Sequence, residues 1–310
     1  MQIRPTTEAD REQVTAFTVD EPVSWIPADR YLAELADNMY RPEWTWIVSD
    51  GGRIVGRALW WGQQDSPEPL ALDCLHVQAS VPDREGVAAA LLEAGHRAFG
   101  RAKPPLYNLT LPNGWRDDPA VSSAVAWRKT ASTAAGLVEE VERLRLEWTP
   151  ETGVPSSSGR LRFAEATDEE FLDVFRRIAV GSLDAETRRN VAVLGAEAAA
   201  REEMEFYLDR PGKREWWRVA HTTDGAVAGL AIPSATPYNV NVGYLGVVPE
   251  LRGHGYVNDI LAEITRIHAE NGAELITATT DTANAPMAAA FARAGYRNTE
   301  VRLIFSAPAD

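Results

Sequence analysis

Between Val247 and Asp259 the chain reads VVPELRGHGYVND. Gly253 and Gly255 stand two positions apart where an apolar run gives way to a helical pattern. The first turn of a helix leaves backbone N–H groups without partners, and glycine lets an anion approach them with no side chain in the way. Arg252 adds a planar, forked cation at the same corner. These residue types suit retention of a pyrophosphate. The competing reading of the same letters is a strand-to-helix corner whose glycines serve only the turn. The stretch lacks the Gly-Lys-Ser/Thr end of a P-loop and the G-x-G-x-x-G spacing of a dinucleotide fold, so neither of those grips applies.

The surrounding pattern says what must hold this corner. Val240 to Val248 reads as a strand entering it. From Tyr256 onward, Val257, Ile260, Leu261, Ile264 and Ile267 recur at helical spacing until Asn271-Gly272 ends the run. A strand over Leu275 to Thr280, a helix over Ala285 to Ala294 closed by Gly295, and a last strand over Val301 to Phe305 follow. Upstream, Leu161 to Phe163 reads as a short strand, and Asp168 as the N-cap of a helix running toward Ile178. Trp216–Thr222 and Ala226–Ile232 flank Asp224-Gly225 as a hairpin.

The chain also repeats itself. Ile3, Arg4 and Asp10 find counterparts in Leu161, Arg162 and Asp168, a shift of 158 (162 minus 4). Ala135-Gly136-Leu137 matches Ala294-Gly295-Tyr296, a shift of 159 (295 minus 136). Independent coincidences have no reason to share a register, so the sequence predicts a duplicated domain. Proline, glycine and serine accumulate in TPETGVPSSSG, which places a linker at 151–159 between domains at 1–150 and 160–310. The first half carries its own hairpin turn at Asp50-Gly51-Gly52. The expected class is mixed α/β with a central sheet in each half.

The order strand, R-G-H-G-Y, helix, strand, Asn284-x-x-Met287, then Phe291-x-x-x-Gly295-Tyr296 resembles the GNAT family of N-acetyltransferases. The likeness covers residues 160 to 305 and, more faintly, 1 to 148. It implies two tandem domains of this type, each a mostly antiparallel sheet flanked by helices, and acetyl-CoA as the acyl donor. The resemblance places Arg252, Gly253, His254, Gly255, Tyr256 and Val257 at the pyrophosphate. It places backbone groups of Val247 and Val248 along the pantetheine arm, with Asn284, Met287 and Phe291 also on the cofactor side. Val257 departs from the family's Gly/Ala at the end of the phosphate motif.

The first half differs at the matching corner, which reads Asp83-Arg84-Glu85-Gly86-Val87-Ala88. A carboxylate about 4 Å from a phosphate costs on the order of 4 kcal/mol at an effective dielectric near 20, and a helix dipole returns at most about 2. Repulsion wins unless Arg84 offsets it. Val125 and Ser132 stand opposite Asn284 and Phe291. The first domain therefore reads as degenerate, without a cofactor grip.

Acetyl transfer to an amine needs a deprotonated nitrogen, donors for the developing oxyanion and a route for the thiolate to leave. An alkylammonium titrates near pKa 10, so a base must help remove its proton. Backbone N–H groups of the strand over 240–248 are the expected donors. Many members of the resembled family use a tyrosine, four residues before the last glycine, to protonate the thiolate; here Phe291 occupies that position. Tyr256, Tyr296, another tyrosine or solvent must replace that acid; Asp281 and Glu250 are the candidate bases, and Asn241 and Asn239 the residues that could orient a water.

Composition bounds the partners. The formal net charge of -14 repels nucleic acid and mildly favours a cationic small-molecule amine. No apolar run reaches the roughly 20 residues of a membrane span, and the charged N-terminus is unlike a signal peptide. One cysteine, Cys74, precludes an internal disulfide, reads as a buried strand residue and suits a cytoplasmic protein. No metal site is expected, and the oligomeric state is open. Eight of the ten tryptophans fall in the first half, where they read as core or interface rather than a substrate wall. The alternative function is an acyl-CoA-binding sensor or scaffold without catalysis.

Overall fold

In a computed structural model, residues 1–308 are described and pack as two compact units, 1–142 with 301–308, and 143–300. The first unit runs β1 (Gln2–Pro5), α1 (Arg11–Ala16), α2 (Ala28–Ala36), β2 (Thr45–Asp50), β3 (Arg53–Trp61), β4 (Ala71–Val77), α3 (Arg84–Phe99), β5 (Leu106–Pro112) and α4 (Pro119–Ala134). The strand β6 (Glu139–Trp148) follows, and its residues 143–148 belong to the second unit. That unit continues with β7 (Leu161–Ala164), α5 (Asp168–Ala179), α6 (Ala185–Leu194), α7 (Ala196–Leu208), β8 (Arg218–Thr222), β9 (Val227–Ala235) and β10 (Val240–Val247). Next come α8 (Tyr256–Glu270), β11 (Ile276–Asp281), α9 (Ala285–Arg293) and β12 (Arg297–Ser306), the last returning from residue 301 to the first unit.

Each unit holds a mixed, mostly antiparallel sheet. In the first, the order is β1-β2-β3-β4-β5-β12, with β4 and β5 parallel. In the second it is β7-β8-β9-β10-β11-β6, with β10 and β11 parallel. A parallel pair needs a crossover, and the helices α3 and α8 supply it at equivalent places. The element order thus repeats, as the internal sequence match predicts. The compact units do not part within 151–159, because 143–148 pair along their whole length with β11, from Ile276↔Trp148 to Asp281↔Arg143.

Helices cover both faces of the second sheet. On one, Ile260, Leu261 and Ile264 of α8 and Phe291 of α9 pack on Ala228, Ala231 and Val242. On the other, Phe171, Phe175 and Ile178 of α5 and Met204 of α7 pack on Leu230, Ile232 and Val248. Thr167, not Asp168, is the N-cap of α5: its hydroxyl accepts from Glu170 N at 3.3 Å while Glu170 Oε2 accepts from Thr167 N at 2.8 Å. A reciprocal pair satisfies two orphan donors where Asp168 would satisfy one. The helices α6 and α7, with no counterpart among the elements predicted above, complete this second face. Trp44, Trp46, Trp60, Trp115, Trp127 and Trp148 are buried, in line with the core reading, and so is Cys74. Among the described residues, no helix is long and apolar enough to cross a membrane, and no cluster of three His, Cys, Asp or Glu is arranged for a metal.

Candidate functional site

The corner opened by VVPELRGHGY lies at the C-terminal end of β10, where that strand parts from β11. The two strands pair only at Val240↔Ile276 and Asn241↔Thr277. Beyond Asn241 one edge of β10 has no strand beside it, while the other stays laddered to β9 down to Val247↔Gly229. Val248 N donates to Ala228 O at 2.9 Å, so by strand alternation the backbone of Val247 faces the open edge. The Val247 carbonyl accepts from Arg252 Nε at 3.0 Å, which leaves the residue's N–H as the group that could meet a pantetheine arm. Val248 offers no such group: its N–H is committed to β9, its carbonyl accepts from Leu251 N at 3.0 Å, and its side chain is fully buried.

Gly253 and Gly255 both adopt the left-handed region, with φ of 81° and 76°. No side chain caps the start of α8, whose N-cap is Gly255, so its first-turn amides have no intramolecular side-chain acceptor. A Cβ at Gly253 would meet open space. Tyr256 and Val257 occupy the first helical positions, half-buried, and Val257 tolerates the corner because its amide, not its side chain, is what an anion would use. An approachable helix start with two left-handed glycines fits a diphosphate.

Arg252 plays a different part from the expected phosphate fork. Its Nε donates to Val247 O at 3.0 Å, Nη1 to Gly181 O at 2.9 Å and Nη2 to Ile178 O at 2.8 Å. The guanidinium thus ties the corner to the end of α5. A cation that the sequence reading missed stands beside the helix start: Arg160 donates from Nη1 to His254 O at 2.9 Å and lies 4.9 Å from the Tyr256 ring. Arg160 is held there by the buried Asp259 of α8, which also accepts from Ser158 N at 2.6 Å and Ser158 Oγ at 2.8 Å. The residues 157–160 are therefore strapped to the first turn of α8. The one sequence signal for this was an aspartate in that turn, which needs donors if it is buried. His254 itself is exposed.

On α9, Asn284 is the N-cap and half-buried, as is Met287, so both remain approachable. Phe291 is not: it is 1% exposed and packs edge-on to Tyr296 at 5.1 Å. Tyr296 is buried too, shares a 2.8 Å hydrogen bond with Thr265, and has its phenol pushed above the ordinary range by burial. It is a core residue, away from the open edge. Asp281 is also engaged structurally: Oδ2 accepts from Ala185 N at 2.7 Å and Oδ1 pairs with Arg143 at 3.2 Å. Its pKa is raised, chiefly by burial, and each oxygen has a partner within the fold. Asn241 offers its carbonyl to His268 Nε2 at 2.9 Å, and its buried Oδ1 has no partner. Asn239 Oδ1 accepts from Thr277 Oγ1 at 3.0 Å, and Glu250 is exposed near Arg177. Tyr256, Tyr296, Asp281 and Asn241 are thus not brought together.

A small cleft of about 10 Å³, room for about one water, lies on the α5/α7 face. Phe175 and Ala179 of α5, Thr187 and Asn190 of α6, Glu203 of α7 and Tyr244 of β10 line it. Tyr244 follows an irregularity at Val242/Tyr244, and the intervening Gly243 carbonyl accepts from Tyr207 Oη at 2.8 Å. The Glu203 carboxyl is pushed up to about 7, first by burial and then by the nearby Glu186 and Asp184. Burial and Glu203 together raise the Tyr207 phenol far above its usual range. Arg143 sits among these acids, 3.5 Å from Asp184 and 3.6 Å from Glu186.

The matching corner of the first unit is closed. Asp83, itself left-handed at φ 51°, caps α3 by accepting from Gly86 N at 3.3 Å. A carboxylate of the chain thus sits where an anion would bind. Arg84 does not offset it, because its Nε donates to Val77 O at 2.6 Å and Nη1 to Glu21 at 2.8 Å, with the guanidinium stacked on Trp127.

Residues 185–296 match the family model described as the acetyltransferase (GNAT) family. No match was found among curated proteins. Among solved structures, a GCN5-related N-acetyltransferase from Sphaerobacter thermophilus is similar at 14% identity and a TM-score of 0.57, over 98% of this chain and 94% of that one. The GCN5-related glucosamine N-acetyltransferase region of a fungal multi-domain β-N-acetylglucosaminidase is similar at 16% and 0.53, over 98% of this chain and 38% of that one. A tandem GNAT protein from the clavulanic acid biosynthesis pathway aligns at 19% and 0.47, over 100% and 98%. At these identities the likeness to the first two is one of fold.

Proposed function

From a second unit that carries a GNAT-family acetyltransferase domain over residues 185–296, we propose that the protein moves the acetyl group of acetyl-CoA to a primary amine of a small molecule, and that this unit performs the transfer. The observation that carries the reading is the uncapped, twice left-handed corner before α8 beside the unpaired edge of β10. The amides of Gly253, Gly255, Tyr256 and Val257 take the diphosphate, with Arg160 the adjacent cation and Arg252 the tie that holds the corner in shape. Val247 offers its backbone N–H to the pantetheine arm, and Asn284 and Met287 border it from α9. Acetyl-CoA supplies an acyl thioester activated for attack. The pantetheine arm separates sulfur from diphosphate, so Tyr256, at the phosphate end, does not also reach the thiol. With Phe291 and Tyr296 in the core, solvent returns the proton to sulfur. The first unit serves structure, its corner being filled by Asp83.

Isothermal titration of acetyl-CoA into the whole chain tests the reading. One site per chain is expected. Arg252→Asp, which copies the corner of the first unit, abolishes binding, and Asp83→Ala leaves the affinity within two-fold. A second site, or binding lost with Asp83→Ala, overturns the assignment to the second unit. Release of CoA thiol with putrescine, agmatine, tyramine and glucosamine then separates transfer from mere binding; binding with no turnover on any amine identifies a sensor.

A further inference from the structure

Asp259 is a carboxylate in the first turn of α8, the turn whose amides are to take a diphosphate. An uncompensated negative charge there opposes the ligand. We infer that Asp259 is a positioning residue of the cofactor site: together with Ser158 it fixes Arg160 over the start of α8. The serine-rich segment ahead of β7 thereby supplies the cation that meets phosphate. The inference rests on the acetyl-CoA reading and extends that site beyond the R-G-H-G-Y corner. Three observations carry it.

First, Asp259 turns away from the helix start. It is 2% exposed, and its partners lie outside α8: Oδ1 accepts from Ser158 N at 2.6 Å, and Oδ2 from Ser158 Oγ at 2.8 Å and Arg160 Nη2 at 3.3 Å. No side chain caps Gly255, so the amides there are left to a ligand. Second, Arg160 is clamped yet approachable. Its Nε donates to Ser158 Oγ at 2.9 Å, Nη1 to His254 O at 2.9 Å and Nη2 to Asp259. The guanidinium lies 4.9 Å from the Tyr256 ring, Nη2 is 3.8 Å from where a Cβ at Gly255 would stand, and the side chain is 48% exposed. An arginine on an open loop surrenders rotamer freedom when it meets phosphate, whereas one already held does not. Third, both residues are missing from the unit whose corner is closed. At the offset of 158, Arg160 falls on Gln2 (160 minus 158). At the offset of 169 that sets Gly255 against Gly86, Asp259 falls on Ala90 (259 minus 169).

The sign of one effect separates positioning from charge. If Asp259 acted through its charge alone, neutralising it would tighten the binding of a diphosphate. If it acts by holding Arg160, neutralising it weakens binding, because a loosened arginine must be ordered as the ligand arrives.

The experiment is isothermal titration of acetyl-CoA into the full chain at low ionic strength. Arg160→Ala weakens binding about ten-fold, as loss of a charge-assisted contact requires. Asp259→Asn weakens it at least five-fold in the wild-type background and less than two-fold in the Arg160→Ala background, where nothing is left to position. Ser158→Ala, a change at an exposed residue, repeats the pattern with a loss of about three-fold. Arg266→Ala, which removes a positive charge nearer the other end of α8, leaves the affinity within two-fold. Unchanged or tighter binding in Asp259→Asn overturns the inference. So does a loss of equal size in both backgrounds, which makes Asp259 a support of the fold, or an equal loss in Arg266→Ala, which makes the effect one of net charge. In each of these cases the wild type still binds acetyl-CoA and the transfer reading stands. A wild type that fails to bind acetyl-CoA overturns that reading, and the role of Asp259 with it.

Discussion

At the scale of single residues, side chains of the expected type turn out to act through different partners. Arg252 was expected to meet phosphate as a charge, yet its fork binds three carbonyls that belong to β10 and the end of α5. The two roles predict different responses to a conservative change. A lysine keeps the charge but cannot span three acceptors. We therefore expect Arg252→Lys to weaken acetyl-CoA binding several-fold, nearly as much as Arg252→Ala, given charge-assisted bonds worth roughly 1.5 to 3 kcal/mol each. Wild-type affinity in the lysine variant would restore the phosphate role. Glu203 gives a second residue-scale test. Its folded pKa of about 7 lies above the ordinary 4.5, so between those values the folded chain holds a proton that the unfolded chain has released. The stability tied to that proton is complete below pH 4.5 and is lost as pH rises through about 7. Thermal unfolding at pH 5 and pH 8 should show a smaller drop for Glu203→Gln than for the wild type.

At the scale of elements, the site depends on how closely β9, β10 and α5 approach one another. A methyl at Gly229 would overlap the carbonyl oxygen of Gly246 on the neighbouring strand, and one at Gly246 would overlap Ile178 Cγ2 of α5. Backbone cannot yield as a side chain tip does. Gly229→Ala is expected to lower stability by about 1 to 3 kcal/mol or more through overpacking, seen as a drop of several degrees in melting temperature. An unchanged melting temperature would mean that β9 and β10 lie farther apart than described. The strands and the helix α8 were legible in the sequence because their apolar residues recur with a period of two or 3.6. The pair α6 and α7 was not, since AEAAAREEMEFYL buries only Ala199, Ala200 and Met204 and leaves most of its length polar. The cleft and Glu203 were missed with them.

At the scale of the whole chain, strands from either side of the proline- and serine-rich segment enter units that sequence order would not assign to them. Residues 143–148 pair with β11 in the second unit, and 301–308 belong to the first. A fragment over 160–310 therefore leaves the edge of Ile276–Asp281 unpaired and loses Leu146 and Trp148 from its core. We expect 1–155 and 156–310 to be insoluble when expressed apart and to recover a cooperative melt and acetyl-CoA binding when co-expressed. A soluble, binding-competent 156–310 fragment would show that β6 is dispensable.

The letters alone settled the duplicated element order, the mixed sheet and the glycine corner, because local periodicity, turn chemistry and an internal match are properties of neighbouring residues. They also marked Asp83 as ill suited to an anion unless Arg84 offset it, and the fold showed Arg84 committed to Val77 and Glu21. Tertiary structure decided which donors remain unengaged. Whether Arg252, Val248, Asp281 or Tyr296 can act on a ligand depends on partners distant in sequence, as does the buried setting that brings Glu203 near neutrality. Desolvation and hydrogen-bond saturation are set by what packs against a group, and no window of sequence contains that.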